Sequence, residues 1–170
     1  YMQEAVPPGS GIMAAIFGLD NNEVLSICQR SGGVVEPANY NCPGQIVISG
    51  EQVAVARAIE LAKESGARRA MPLEVSAPFH CSLLKSAAVR LAKDLAELKF
   101  SPPMFPVLSN VDARPLTVES VREMLARQVS SPVLWQQCVE KLSAMGVNTL
   151  VEAGPGRVLS TLARKIDRNL

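Results

Sequence analysis

Histidine is almost absent from this chain: His80 is the only one in 170 residues. Charge of either sign is nearly cancelled, with 17 Lys and Arg against 16 Asp and Glu. The net charge of +1 therefore supplies no global field toward nucleic acid or an anionic membrane, and neither is expected as a partner. No apolar run reaches the roughly 20 residues that a spanning helix needs, which sets aside the integral helical membrane class. The four cysteines (Cys28, Cys42, Cys81, Cys138) show no CxxC spacing and have one histidine to help them. That excludes an encoded zinc site or disulfide framework and makes a reducing cytoplasm the expected location. A GxSxG nucleophile elbow is also lacking. Gly9-Ser10-Gly11 comes nearest, but its glycines flank the serine directly. There is no initiator methionine; the opening Tyr1-Met2-Gln3-Glu4-Ala5-Val6-Pro7 reads as the tail of a helix entered midway, so the chain is expected to be a fragment.

What is present is a core. Hydrophobic residues make up 48% of the chain, and the length suits one domain or two small subdomains sharing a core. Gly11 to Leu19 is an apolar run bounded by glycines, as in a buried strand. Asp20 with Glu23 forms a capping box for a helix whose stripe is Val24, Ile27 and Cys28, ended by Gly32-Gly33. Val34 to Asn41 and Gln45 to Ser49 read as two strands joined at Cys42-Pro43-Gly44. Ser49 and Gln52 suggest a second capping box, for a helix with Val55, Ala58, Ile59 and Ala62 inward and Gly66 at its end. Met71 to Val75 is a further expected strand. The order β-α-β-β-α-β over 11–75 is that of a split βαβ, ferredoxin-like unit.

Beyond His80 the pattern changes. Leu84, Ala88, Leu91, Leu95 and Leu98 predict a long amphipathic helix, stopped at Ser101-Pro102-Pro103. Strands are expected at 106–111 and 149–153. Helices are expected from Thr117 to about Gln128, from Pro132 to Gly146, and from Val158 to Arg168. Alternation of this kind predicts an α/β fold with a mainly parallel sheet.

Chemistry concentrates on Val75-Ser76-Ala77-Pro78-Phe79-His80-Cys81. Imidazole is the side chain whose ordinary titration lies near pH ~6.5, so it can take and return a proton at neutral pH. A polar residue on a loop after a strand is also where α/β proteins place catalysis. A packed, purely structural histidine is the competing reading. Cys81 is adjacent in sequence and Ser76 lies across a proline, so neither is a good partner nucleophile. Asn39, Asn41 and Gln45 border the proline-glycine turn and could recognise an amide-rich ligand, or serve only the turn. Arg68 and Arg69 could take phosphates or simply be solvated, and Gly154-Pro155-Gly156 could seat an anion or form a plain turn.

Several stretches together resemble one family. They are Met2 to Pro7, the run Asn39-Tyr40-Asn41-Cys42-Pro43-Gly44-Gln45-Ile46-Val47-Ile48-Ser49-Gly50, and Pro78-Phe79-His80. Asn110-Val111-Asp112, Arg127-Gln128 with Pro132-Val133 and Trp135, and Glu152-Ala153-Gly154-Pro155-Gly156 complete the set. In that order they resemble the C-terminal part of the malonyl-CoA:acyl-carrier-protein transacylases of type II fatty acid synthesis. The resemblance implies a serine-linked acyl-enzyme, formed from malonyl-CoA and discharged onto the phosphopantetheine thiol of acyl carrier protein. Coenzyme A is then part of a substrate, and no cofactor or metal is implied. His80 matches the catalytic histidine and Gln128 the residue whose backbone carbonyl orients it. Asn39, Asn41 and Gln45 match positions near the pantetheine mouth, and Arg68 with Arg69 a basic pair for phosphates or an acidic carrier. Phe79 matches the position that discriminates malonyl from bulkier acyl groups.

The family's elbow, its oxyanion glutamine and its malonyl-binding arginine match nothing here and are expected upstream of Tyr1, leaving the 170 residues alone inactive. The implied fold is a ferredoxin-like small subdomain (8–76) with the C-terminal part of an α/β-hydrolase-like large one (1–7 and 77–170). An acyltransferase domain of a polyketide or fatty acid synthase fits the same motifs. A non-catalytic ferredoxin-like binding module, with a structural histidine, is the reading from another class.

Overall fold

The computed structural model describes residues 1–7 and 9–170; Pro8, the first residue of the expected small subdomain, lies outside them. A short helix α1 (Met2–Ala5) precedes β1 (Gly11–Phe17). Asp20 is extended and its carboxylate accepts the Glu23 N–H at 2.8 Å, while Glu23 accepts the Asp20 N–H at 2.7 Å. This reciprocal cap satisfies two of the donors that open α2 (Asn21–Arg30). Strands β2 (Val35–Cys42) and β3 (Gln45–Glu51) meet at Pro43-Gly44, where Gly44 has φ +71°, a conformation open to a residue without Cβ. Helix α3 (Gln52–Glu64) follows, then β4 (Arg69–Pro72). Ser49 does not cap α3. It is fully buried within β3, and the helix starts from an extended Glu51 without a side-chain cap.

The sheet order is β2-β3-β1-β4, with every neighbouring pair antiparallel. The expected mainly parallel sheet is thus corrected. A tight turn can join β2 and β3 only as antiparallel strands, and each helical crossover skips one strand. β1 and β2 run in parallel but are separated by β3, and β3 and β4 are separated by β1. One face buries Ala14, Ile16, Val35, Ile46 and Ile48 beneath α2 and α3, which contribute Val24, Ile27, Val55 and Ala58. Burying each large aliphatic side chain fully contributes roughly 1.5–3 kcal/mol, so this face carries much of the fold's stability. The other face presents Met13, Ala15, Ala38 and Val47, against which Leu73 and Phe79 pack.

The second half is mostly helical: a 3₁₀ turn at Ser82–Leu84, α4 (Lys85–Ala96), α5 (Val121–Arg127), α6 (Trp135–Ala144) and α7 (Val158–Ile166). Val6, Leu84, Ala87 and Val129 form a separate small core between α1, α4 and the end of α5. Leu98, expected on the inward stripe, is exposed beyond the end of α4. The expected strands at 106–111 and 149–153 do not form. Leu108 makes a single bridge to Pro115, and Val151 is 87% exposed. Apolar residues become a strand only when a neighbour completes the ladder, and none of the described residues does so there. α6 and α7 pack against β2. Beside them Val133 joins the edge of β2, accepting the Tyr40 N–H at 2.9 Å and donating to Ala38 O at 2.8 Å.

Candidate active site

The chain leaves β4 along β1, and Leu73 N still donates to Met13 O at 2.9 Å. Further on, the fully buried Pro78 ring lies over Gly11, so close that a Cβ at Gly11 would meet Pro78 Cγ at 2.3 Å. Phe79 then turns onto the second sheet face. His80 follows with φ +60°, a left-handed conformation that histidine visits more readily than most residues but that still costs energy. The half-buried imidazole places Nδ1 2.9 Å from the main-chain oxygen of Gln128, the residue ending α5.

A carbonyl can only accept, so Nδ1 carries the proton of this hydrogen bond and Nε2 is left as the basic nitrogen. No serine hydroxyl among the described residues hydrogen-bonds the ring. Cys81 turns inward, its thiol donating to Pro78 O at 3.2 Å, and burial pushes that thiol above its ordinary range. It is a packed group, not a nucleophile.

Two further residues support this corner. Glu36 of β2 receives both the N–H (2.8 Å) and the hydroxyl (2.6 Å) of Ser82. Asn110 accepts the Leu134 N–H on its main-chain oxygen at 2.8 Å, and its side-chain amide lies 3.5 Å from Gln128 Oε1. Asn110 was visible only inside a motif. Glu36 carried one unused signal, an acid in the apolar strand Val34-Val35-Glu36-Pro37-Ala38, where a carboxylate is costly unless both oxygens find donors.

The remaining expected residues are spread along the sheet. Asn39 pairs with Val47 and bridges to Val133, close to the Gln128 segment. Asn41 sits at an irregularity between Tyr40 and Cys42. Gln45 pairs with Phe17, which also pairs with Arg69, so Gln45 and Arg69 stand in one row at the far end of the sheet. Arg68 joins them there, exposed, with its N–H on Phe17 O at 2.8 Å. Gln45 Oε1 also accepts from Lys165 Nζ at 3.2 Å, which adds a third cation. The row of Gln45 and Arg69, with Arg68 and Lys165, thus forms a polar and basic end of the sheet, while Asn39 lies nearer its middle, beside Val133.

Phe79 lines a cleft of about 420 Å³ with Met2, Ala87, Leu91 and Val129. A cleft of about 470 Å³ lined by Ala5, Val6, Gly9, Glu51, Gln52 and Val53 holds none of the residues singled out for chemistry.

The model of the acyl transferase domain family matches residues 1–167. The chain belongs to that family. Among acyl transferase domain proteins, it is 48% identical over 169 residues to the malonyl CoA-acyl carrier protein transacylase of Escherichia coli (strain K12), covering 98% of this chain and 55% of the relative. It is 47% identical over 174 residues to the transacylase of the same name from Bacillus subtilis (strain 168), covering 100% and 55%. The crystal structure of an acyl carrier protein S-malonyltransferase from Vibrio cholerae superposes with a TM-score of 0.97 at 50% identity, over 99% of this chain and 56% of that one. A malonyl-transacylase in complex with its type II PKS acyl-carrier protein gives 0.96 at 47%, over 99% and 55%. The chain thus spans about half the length of the curated relatives it matches. The mixed α/β architecture with a small antiparallel sheet is one it shares with solved acyl transferases.

Proposed function

We propose that this acyl transferase chain supplies the proton-transfer half of a malonyl transfer from coenzyme A to acyl carrier protein in fatty acid biosynthesis. The observation that carries the reading is the His80 imidazole, its Nδ1 proton held by the Gln128 carbonyl and its Nε2 basic. In the first half-reaction Nε2 takes the proton of a serine hydroxyl as the oxygen attacks the malonyl thioester carbonyl. The carbon–sulfur bond then breaks, and the imidazolium returns the proton to the departing coenzyme A sulfur. In the second half the carrier thiol gives its proton to Nε2 and attacks the acyl-serine ester, and the serine recovers a proton as it leaves. No cofactor enters this sequence, because coenzyme A is part of the substrate.

The serine is one outside these 170 residues, so the chain alone is inactive. Its own part of the acyl specificity falls to Phe79. Asn39, Asn41 and Gln45 would hold the amide-rich pantetheine arm. Arg68 and Arg69, with Lys165, would face the coenzyme A phosphates or an acidic carrier. Their place together at the Phe17 end of the sheet suits this reading, since the extended pantetheine arm holds the phosphates away from the thioester. In the same reading, residues 8–76 are a ferredoxin-like small subdomain, supported by the β2-β3-β1-β4 order, and 1–7 with 77–170 belong to a larger hydrolase-like one. Four free, buried cysteines suit a reducing cytoplasm.

The test is His80→Ala in a full-length transferase that contains residues 1–170. Loss of a general base is expected to lower the rate ~10²–10⁴-fold, and a rate near normal would remove His80 from the chemistry. Incubating the 170-residue chain with malonyl-CoA is expected to leave every serine unmodified. A malonylated serine would overturn the separate-serine part of the reading.

A further inference from the structure

The left-handed turn at His80 needs something to hold it, and the Gln128 carbonyl grips only the ring. Two residues on, Ser82 opens the 3₁₀ turn that leads into α4, and both of its donors are taken by one carboxylate from a strand 46 residues away. Glu36 Oε2 lies 2.8 Å from Ser82 N, and Oε1 lies 2.6 Å from Ser82 Oγ. Charge-assisted bonds of this kind are among the stronger and more directional contacts available to a loop. Around them the packing is tight. Ser49, the cross-strand partner of Glu36, and Cys81, between His80 and Ser82, are both fully buried.

We propose that Glu36 is a positioning residue for the catalytic imidazole: through its two-point grip on Ser82 it fixes the backbone of the His80 turn to the sheet, so that the ring meets Gln128 in one orientation. The carboxylate touches neither substrate nor imidazole and acts only through the chain segment it holds. The inference rests on the proton-transfer role given to His80 above.

The geometry makes an unusual demand on substitutions. Glu36→Gln keeps both contacts, because the amide oxygen can accept the Ser82 N–H while the amide N–H₂ donates to Ser82 Oγ. Glu36→Ala removes both. His80 is the only histidine of the chain, so the ¹⁵N spectrum of the 170-residue protein contains one imidazole and reads its tautomer without assignment. The Nδ1–H tautomer is expected for the unmodified chain and for Glu36→Gln, and a tautomer mixture for Glu36→Ala.

In a full-length transferase containing these residues, Glu36→Ala is expected to lower kcat about 10–10²-fold, the scale of a misplaced catalytic group, with KM for malonyl-CoA within about twofold. Glu36→Gln is expected to restore kcat. Should Glu36→Ala fail to fold, Ser82→Ala keeps the main-chain contact and is expected to lower kcat severalfold with the same tautomer mixing. An unchanged tautomer and kcat in Glu36→Ala, or in Ser82→Ala, overturns the proposal. So does a Glu36→Gln variant as impaired as the alanine, since charge and not the grip would then be at work. If His80→Ala abolishes transfer while Glu36→Ala does not, only this inference falls. If His80→Ala is itself nearly silent, the functional reading falls, and the tautomer measurement still decides what Glu36 does.

Discussion

The Nδ1 of His80 and the main-chain oxygen of Gln128 lie 2.9 Å apart across 48 residues of sequence. Because the acceptor belongs to the backbone, the identity of side chain 128 should matter little. Gln128→Ala is expected to keep the Nδ1–H tautomer and to change stability by no more than about 0.5 kcal/mol, as for surface substitutions. Gln128→Pro is the informative contrast. It removes the N–H that donates to Met124 O at 3.0 Å and displaces the end of α5, so the tautomer preference should be lost. An imidazole as disordered in the alanine variant as in the proline one would show that the side chain, through Asn110, sets the geometry.

Gly11 should be intolerant of even one added carbon, for a reason other than its backbone angles. Its missing Cβ leaves room for the Pro78 ring, whose Cγ, Cδ and Cβ would stand 2.3, 2.8 and 2.9 Å from it. Neither partner can give way cheaply, since one is a strand backbone and the other a rigid buried ring. Gly11→Ala is expected to cost about 1–3 kcal/mol in urea denaturation, the range of an overpacked core, and to shift the His80 imidazole resonances. A variant with wild-type stability and unmoved resonances would show that the turn adjusts freely.

The four thiols predict an alkaline weakness. Burial raises Cys28 from the ordinary 9.0 to about 12 and Cys138 to about 11, with Cys42 and Cys81 shifted the same way. Above pH 9 the unfolded chain releases thiol protons that the folded chain keeps, so the unfolded state binds fewer protons and stability falls with pH. The full contribution is present below pH 9 and is lost progressively between 9 and 12, by at most about 1.4 kcal/mol per pH unit for each thiol. The urea midpoint should therefore drop between pH 8 and pH 10, and part of the drop should disappear in Cys28→Ala. At pH 8 none of the four should react with a thiol reagent in the folded protein; rapid labelling of Cys81 would contradict its placement.

The first half of the fold was legible because its signals are local. The Asp20–Glu23 cap, the Pro43-Gly44 turn and the helical stripes of α2 and α3 each depend on neighbours in sequence. What failed depended on distant partners. Ser49 looked like a cap but is a buried strand residue, because β1 and β2 claim both sides of β3. The last strand was expected at 71–75 and lies at Arg69–Pro72, because the chain must leave the ladder to bring Pro78 over Gly11. Residues 106–111 and 149–153 carry strand-like composition without a ladder to join. For the site, His80 is legible as the lone histidine on a loop after an expected strand and Gln128 only through the resemblance; the two lie 2.9 Å apart. Glu36 is not legible as a site residue, because its partner, Ser82, is 46 residues away and silent in sequence.

The Val133 contacts on β2 bear on how copies of this chain meet one another. A four-stranded sheet has two outer edges, and an open edge is a template onto which a strand from another molecule can add. Here the β2 edge is occupied at Ala38 and Tyr40 by Val133 from the same chain, more than ninety residues further on. The β4 edge is short, begins with the exposed Arg69 and ends in Pro72, which has no N–H to offer. One edge is closed by the chain's own later segment and the other by charge and proline. Each device shortens the unpaired ladder that a second molecule could join.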